Sequence, residues 1–348
     1  MLTVVAGIIV FGVLIFFHET GHFLAARLAG IGVHEFSIGF GPRLWGFTRG
    51  KTAYNLRAIP YGGFVRLVGM DPREEERDAP YSFARKTVGQ RLFVMVAGPA
   101  MNFVLAVFAL AVVFYYQGIP VIIPGVAQVT EVLPGYPAAA AGIRAGDRIV
   151  AVDGQPVRDW RSVSWSIAKS PGSKKVLTVE RDGRRFDVVL VPRLEEGGQG
   201  RAGFLVSPVI VQKRAGPFKA LAAGGEYTWR ITGLILEFLG KMVIGQAPAD
   251  VGGPVRVVVE IGKAAESGLF ALIQLTAFLS INLGLFNLLP VPALDGARAG
   301  FLLWEGITRR PVDPEKENLV HLVGFAFLLL LMVVVTYRDF VQLSNGIQ

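Results

Sequence analysis

The sequence contains no cysteine. That excludes a disulfide framework and every thiolate metal site, so any bound metal must be held by imidazole and carboxylate. Histidine is scarce too, with four in 348 residues, and two of the four stand one helical turn apart. Charged residues make up only 18%, against roughly 25% in ordinary soluble domains. Hydrophobic residues reach 52%, a balance typical of a multi-span membrane protein. The net charge is +8, but no basic run is interleaved with the aromatics of a stacking platform, which argues against nucleic acid as a partner. Internal repeats are missing as well, which argues against a transporter.

What is present is a set of long apolar runs. Residues 2–29 are apolar apart from the cluster His18, Glu19, His22 and the lone Arg27. No Lys or Arg precedes this run, no small-x-small cleavage site follows, and apolar character resumes at Phe23. It therefore reads as one span and not as a signal peptide. Further spans are expected at 92–116, kinked at Gly98-Pro99, and at 269–289 and 319–337. Lys and Arg concentrate in 30–90 and in 296–318, so the positive-inside rule makes both loops cytoplasmic. Both termini and residues 117–268 then lie outside.

The predicted fold is a polytopic α-helical membrane protein of four transmembrane helices. Its parts are an N-terminal membrane region (1–119), an inserted β-rich domain (120–210), an outer linker (211–268) and a C-terminal membrane region (269–348). Short Val-rich runs, turns at Asp153-Gly154 and Asp182-Gly183 and a hairpin pattern at 175–191 mark the β-rich part, with a helix expected over 159–169. In the linker, Ile231, Leu234, Ile235, Phe238, Leu239 and Met242 form an apolar stripe beside four charged residues. An interfacial amphipathic helix over 217–243 fits better than a fifth span. The acidic run 71–78 reads as a solvated loop, and His34 and His321 as interface residues.

The chemistry centres on His18, Glu19 and His22. Four helical residues turn about 400°, so the two imidazoles project from one face. That is the geometry for two ligands on one zinc, with the adjacent Glu19 placed to take a proton from the attacking water. Each ionisable group inside a membrane costs roughly 2.5–3.5 kcal/mol on insertion scales, which makes it a functional hypothesis by default; the bland alternative is three satisfied polar residues at a helix contact. Catalytic zinc wants a third protein ligand and an open position. Asp295 in NLLPVPALDG is the best candidate, because Pro290 and Pro292 stop the third span and deliver the carboxylate at its end. With four spans, spans 1 and 3 both run outside to inside, and Asp295 comes to the depth of His18 and His22. A fifth span at 217–243 would put it on the opposite face.

These residues, in this order, resemble the site-two protease family, and within it the bacterial RseP-type intramembrane zinc metalloproteases. The carriers are FFHETGH (16–22), FSIGFGPRLW (36–45), YGGFVRLVGM (61–70), VAGPAMNF (96–103), VTEVLPGYPAAAAGIRAGDRIVAVDG (129–154) and FNLLPVPALDG (286–296). The resemblance implies a Zn2+ held by His18, His22 and Asp295, with Glu19 as general base. It implies cleavage of single-span transmembrane substrates, such as anti-sigma factors or signal-peptide remnants, after an upstream site-one protease has cut the same substrate. It places the protein in the bacterial inner membrane, with its active site in the cytoplasmic half of the bilayer. Residues 52–70 resemble a membrane-associated β-hairpin, in which Gly62, Gly63, Phe64 and Val65 would offer a strand edge to an unwound substrate. Asn287 resembles an Asn that holds the substrate strand or polarises its carbonyl. Residues 120–210 resemble a PDZ domain on the extracytoplasmic side, which either binds an exposed C-terminus or acts as a size filter. Many RseP-type members carry two such domains, and this chain has room for one. A non-catalytic membrane-anchored PDZ adaptor is the alternative; it predicts no metal.

Overall fold

Helix α1 (Leu2–Leu28) has no acidic residue in its first turn and only Arg27 in its last. It is followed by two long antiparallel strands, β1 (Val33–Arg49) and β2 (Thr52–Leu67), and by helix α2 (Val88–Gln117), with Pro99 inside it. The computed structural model describes all residues except 72, 196, 248–251 and 345–348. The chain divides into two units, one of Met1–Tyr116 with Gly216–Gln348 and one of Gln117–Ala215. The second unit is thus a little longer at both ends than the 120–210 read from composition.

That second unit holds β3 (Ile119–Val132), α3 (Pro137–Ala140), β4 (Arg148–Val152), β5 (Gln155–Pro156), α4 (Trp160–Ala168), β6 (Lys175–Arg181), β7 (Arg184–Leu190), β8 (Arg193–Leu194), β9 (Gly200–Arg201) and β10 (Phe204–Lys213). Its main sheet runs β10-β3-β4-β6-β7 with β5 on β4. Alternation along β6 buries Leu177 and Val179, which join Ile149, Val129 and the helical pair Val163 and Ile167 in one core. Asp159 caps α4 by accepting from Arg161 N–H at 3.1 Å. Asp147 is 2% exposed. Burial alone would raise its pKa, but a forked contact from Arg181 at 2.6 and 2.7 Å and the Arg144 N–H hold it below the usual carboxylate range.

The chain returns through α5 (Pro217–Val243), α6 (Pro254–Ser267), α7 (Leu269–Leu288), α8 (Asp295–Thr308) and α9 (Pro314–Ser344). Among the described residues, four helices are long and apolar enough to cross a bilayer: Leu2–Leu28, Val88–Gln117, Leu269–Leu288 and Glu315–Gln342. The last exposes most of its large apolar side chains, among them Leu322, Phe325, Phe327, Leu330 and Val333, a surface that suits lipid and not water. Helix α5 is not among the four. Its buried face is the small-residue row Ala220, Gly224, Thr228 and Thr232, not the apolar stripe that the sequence singled out. Leu234 and Phe238 of that stripe are exposed.

The β segment of the first unit differs from the expected hairpin at 52–70. Residues 33–38 pair on one side with 63–67 and on the other with 52–56, and 52–57 pairs in turn with 43–49. The spatial order is therefore 63–67, 33–38, 52–57, 43–49. Gly62, Gly63, Phe64 and Val65 belong to a strand whose partner is far away in sequence, which hydrophobic pattern alone does not indicate. Within this sheet Glu35 is half-buried. Burial would raise its pKa, but hydrogen bonds from Ser37, Arg57 and Asn55 overcome that and lower it from the ordinary 4.5 to about 2.

Candidate metal centre and active site

Three ligand atoms from two distant parts of the chain converge. His18 Nε2 lies 3.1 Å from Asp295 Oδ2, His22 Nε2 lies 3.3 Å from the same oxygen, and the two Nε2 atoms are 3.3 Å apart. Tetrahedral zinc with bonds of about 2.0–2.1 Å would set its ligands roughly 3.3–3.4 Å apart. The three atoms thus outline one face of such a tetrahedron, with His22 buried and His18 and Asp295 half-buried.

The remaining ring nitrogens decide whether the Nε2 lone pairs are free. His22 Nδ1 lies 2.8 Å from Val94 O on α2. A carbonyl only accepts, so Nδ1 carries the proton and Nε2 is bare. His18 Nδ1 lies 3.1 Å from the Asn102 amide, also on α2, and Asn102 Oδ1 is buried with no partner among the described residues. Turning that amide by half a revolution lets Oδ1 accept from His18 Nδ1–H, which satisfies the orphaned oxygen and frees the second Nε2. Both imidazoles are then oriented as metal ligands usually are, by acceptors behind them. The donor set fits zinc.

Helix α2 builds this floor through two local features. Pro99 has no N–H to give to Met95 O, so the ladder is loosened in the turn where Val94 O accepts from His22. Gly98 lies directly under the imidazole. A Cβ built there would stand 2.2 Å from His22 Nε2 and 2.6 Å from both carbons flanking it. The sequence had suggested only a kink.

Asp295 is the first residue of α8, after Pro290 and Pro292 have ended α7 at Leu288. The turn that delivers it contains Ala293 at φ +78°, a left-handed conformation that costs an L-residue roughly 1–2 kcal/mol. The Ala293 N–H donates to His321 Nδ1 at 2.9 Å, so this histidine holds the strained turn and is more than an interface residue.

Glu19 is close enough to His18, His22 and Asp295 to interact electrostatically with all three, and Val65 N–H of the edge strand faces its carboxylate. The same strand packs hard on α1. A Cβ on Gly63 would meet Ile15 Cγ2 at 2.8 Å, Ser37 O at 2.9 Å and Glu19 Cγ at 3.0 Å. Of the other anticipated substrate-contacting residues, Gly62 and Phe64 lie on this strand. Asn287 is half-buried in the last turn of α7, and no hydrogen bond of its side chain is seen among the described residues. His34 is elsewhere, against Glu74 and Glu76; these two are half-buried, while Asp71, Arg73, Glu75 and Asp78 of the same acidic stretch are exposed, as its acidity suggested.

Asn102 and the Val94 carbonyl were not singled out by the sequence. An amide inside an apolar span was the available signal for the first; nothing in a sequence marks a carbonyl. Replacing Asn102 by Leu, of similar volume, is expected to weaken zinc binding by about 10–100-fold, the usual effect of removing a group that orients a metal-bound His. Competition against a chromophoric chelator measures it.

Comparison with known proteins is consistent with this chemistry. The family model described as peptidase family M50 matches residues 6–331. Zinc metalloprotease RasP of Geobacillus kaustophilus is 34% identical, over 97% of this chain and 97% of its own. Regulator of sigma-W protease RasP of Bacillus subtilis is also 34% identical, over 98% and 99%. Among solved structures, the PDZ domain of an SdrC-like protein from Listeria monocytogenes matches 25% of this chain and 90% of its own, at 20% identity and a TM-score of 0.23.

Proposed function

Because the chain belongs to peptidase family M50 and is a zinc metallopeptidase with membrane-spanning helices, we propose that it cleaves transmembrane segments at a centre where His18, His22 and Asp295 hold the metal and Glu19 is the general base. The observation that carries this reading is the meeting of three ligand atoms, 3.1–3.3 Å apart, beside a carboxylate that faces a strand edge. A zinc ion held by His18, His22 and Asp295 would supply Lewis-acid chemistry, polarising a carbonyl and lowering the pKa of water towards neutrality. Glu19 accepts the proton of the attacking water and hands it to the leaving amine. No acyl-enzyme forms, since no side-chain nucleophile is used.

A helix offers no free carbonyl to a protease, so the substrate must unwind first. Residues 62–65 run along the edge of the sheet, and an unwound substrate segment added to that edge would lie beside Glu19. Asn287 contributes a second polar contact to it. The far side of the sheet carries exposed Leu44, Trp45, Phe47, Leu56 and Ile59, which suits insertion into the bilayer surface. In this reading the basic loops are cytoplasmic, the centre is in the cytoplasmic half of the bilayer, and the 117–215 unit is a PDZ-like domain on the outer side. One relative is named as a regulator of sigma-W; by analogy the substrates are single-span anti-sigma factors already shortened by a site-one protease.

The test uses the full chain in proteoliposomes with a single-span substrate lacking its outer domain. Cleavage is expected, is lost after metal is stripped by a chelator, and returns with stoichiometric zinc. Cleavage that persists in metal-free protein overturns the mechanism.

A further inference from the structure

Asp295 arrives from a turn that does little to hold itself. Pro290 and Pro292 have no N–H to give. The N–H groups of Leu289, Val291 and Leu294 donate to Phe286 O, Leu289 O and Val291 O at 3.1, 2.7 and 3.1 Å, all within the same short segment. Ala293 is the remaining donor between α7 and Asp295, and it sits at φ +78°. A left-handed alanine persists only where its surroundings over-determine it.

Those surroundings are α9. Among the described residues, the acceptor for Ala293 N–H is His321 Nδ1, at 2.9 Å. An amide only donates, so Nδ1 is bare and a neutral ring carries its proton on Nε2. Glu317, one turn earlier on α9, has Oε1 3.8 Å from that Nε2, and its charge favours this tautomer. The His321 side chain is 12% exposed, and Phe301 of α8 stands edge-on to it with ring centroids 5.9 Å apart. The imidazole is thus fixed on two sides, with its lone pair turned to the strained amide.

A second contact lies three residues further on, on the same face of α9. A Cβ built on Gly324 would stand 2.2 Å from Pro292 Cβ and 2.9 Å from Pro292 C. The α9 backbone therefore lies directly against the residue before Ala293, an approach that only glycine permits. Leu322, Phe325 and Phe327 around it are exposed, so a lipid-facing helix gives no reason for a glycine there. In a helix interior glycine costs roughly 0.5–1 kcal/mol relative to alanine, and the contact with Pro292 accounts for it.

We propose that His321 and Gly324 are positioning residues for the metal centre: the last span sets the turn from which Asp295 reaches His18 and His22. This rests on the reading of those three residues as the zinc ligands. Neither His321 nor Gly324 touches a ligand atom. They act through Pro292 and Ala293, three and two residues ahead of Asp295. Oδ2 of Asp295 must meet two Nε2 atoms at 3.1 and 3.3 Å, so a turn released from α9 loses one of three ligands. What matters at position 321 is then an acceptor at the place of Nδ1, not an imidazole as such.

Zinc affinity of the full-length protein in detergent, measured by chelator competition, tests this. His321→Phe keeps a ring against Phe301 but has no acceptor, and affinity should fall by about 10–100-fold. His321→Asn puts an amide oxygen near the place of Nδ1 and should restore most of that loss. Gly324→Ala should bind zinc as poorly as His321→Phe, whereas Gly300→Ala, whose Cβ meets nothing within 4 Å, should bind like wild type. Cobalt gives a readout that general destabilisation would not move. The visible spectrum of the bound ion, which reports its coordination geometry, should change in His321→Phe and match wild type in His321→Asn. A Phe variant with wild-type affinity and spectrum, or an Asn variant as poor as Phe, overturns the proposal. Should the Phe variant not stay monodisperse, Gly324→Ala decides by the same two measurements. Zinc that survives in H18A/H22A would overturn the reading of the centre and this proposal with it. Zinc lost there but held normally by His321→Phe and Gly324→Ala would overturn this proposal alone.

Discussion

Glu19→Gln is expected to lower the rate of substrate cleavage by about 10²–10⁴-fold, the range for loss of a positioned general base, while zinc content stays at the wild-type level. The substitution is chosen for what it keeps. Gln has the size and shape of Glu, so the packing of Glu19 Cγ under Gly63 survives, as does an oxygen for Val65 N–H to face. What disappears is the basic lone pair that takes a proton from water and returns it to the amine. None of the three converging ligand atoms belongs to Glu19, so metal binding has no reason to fall. The measurement is single-turnover cleavage of a single-span substrate in proteoliposomes, with zinc determined on the same sample. A Gln variant that cleaves within about tenfold of wild type would remove Glu19 from the mechanism. A variant that loses its zinc would make Glu19 a ligand instead.

How legible this arrangement was in the sequence differs from residue to residue. The pair His18 and His22 follows from helical period alone, and Asp295 from two prolines that end a helix ahead of an acidic residue. Both signals are local, or need only a count of spans. The helices around them were legible for the same reason: 20 or more apolar residues need no tertiary information to be read as a span. The groups that orient the imidazoles were not legible, because Val94 O and Asn102 lie 72 and 84 residues from the histidines they meet. The strand pairing was missed in part for a related reason. Residues 61–67 carry the composition of a strand, but their partner at 33–38 is chosen by packing against α1, and several irregularities in register break the simple alternation. His34 with Glu74 and Glu76 is the same case again. An acidic run is solvated by default, and only a half-buried histidine some 40 residues away changes that.

Gly98→Ala is expected to empty the catalytic centre, and it tests the part of the site that was least visible. The distances from a built Cβ to His22, 2.2 Å to Nε2 and 2.6 Å to each flanking carbon, place that methyl over the face of the ring at its ligating end. Carbon contacts settle at about 3.5–4.0 Å, so the imidazole must move by more than 1 Å or α2 must retreat. The ring has little freedom to do so, since Nδ1 is tied to Val94 O one turn earlier on the same helix. Moving it breaks that bond and pulls Nε2 away from His18 and Asp295. Against this, Ala gains roughly 0.5–1 kcal/mol of helix propensity over Gly, less than the 1–3 kcal/mol typical of overpacking with the lost hydrogen bond added. The clash wins, and zinc affinity should fall by at least 10–100-fold, with cleavage lost in parallel. Gly89→Ala in the same helix is the control: a Cβ there meets nothing within 4 Å, so zinc content and cleavage should be unchanged. A Gly98→Ala protein with wild-type zinc would mean that His22 does not rest on α2 in the working enzyme, and would separate the metal centre from the helix that we take to be its floor.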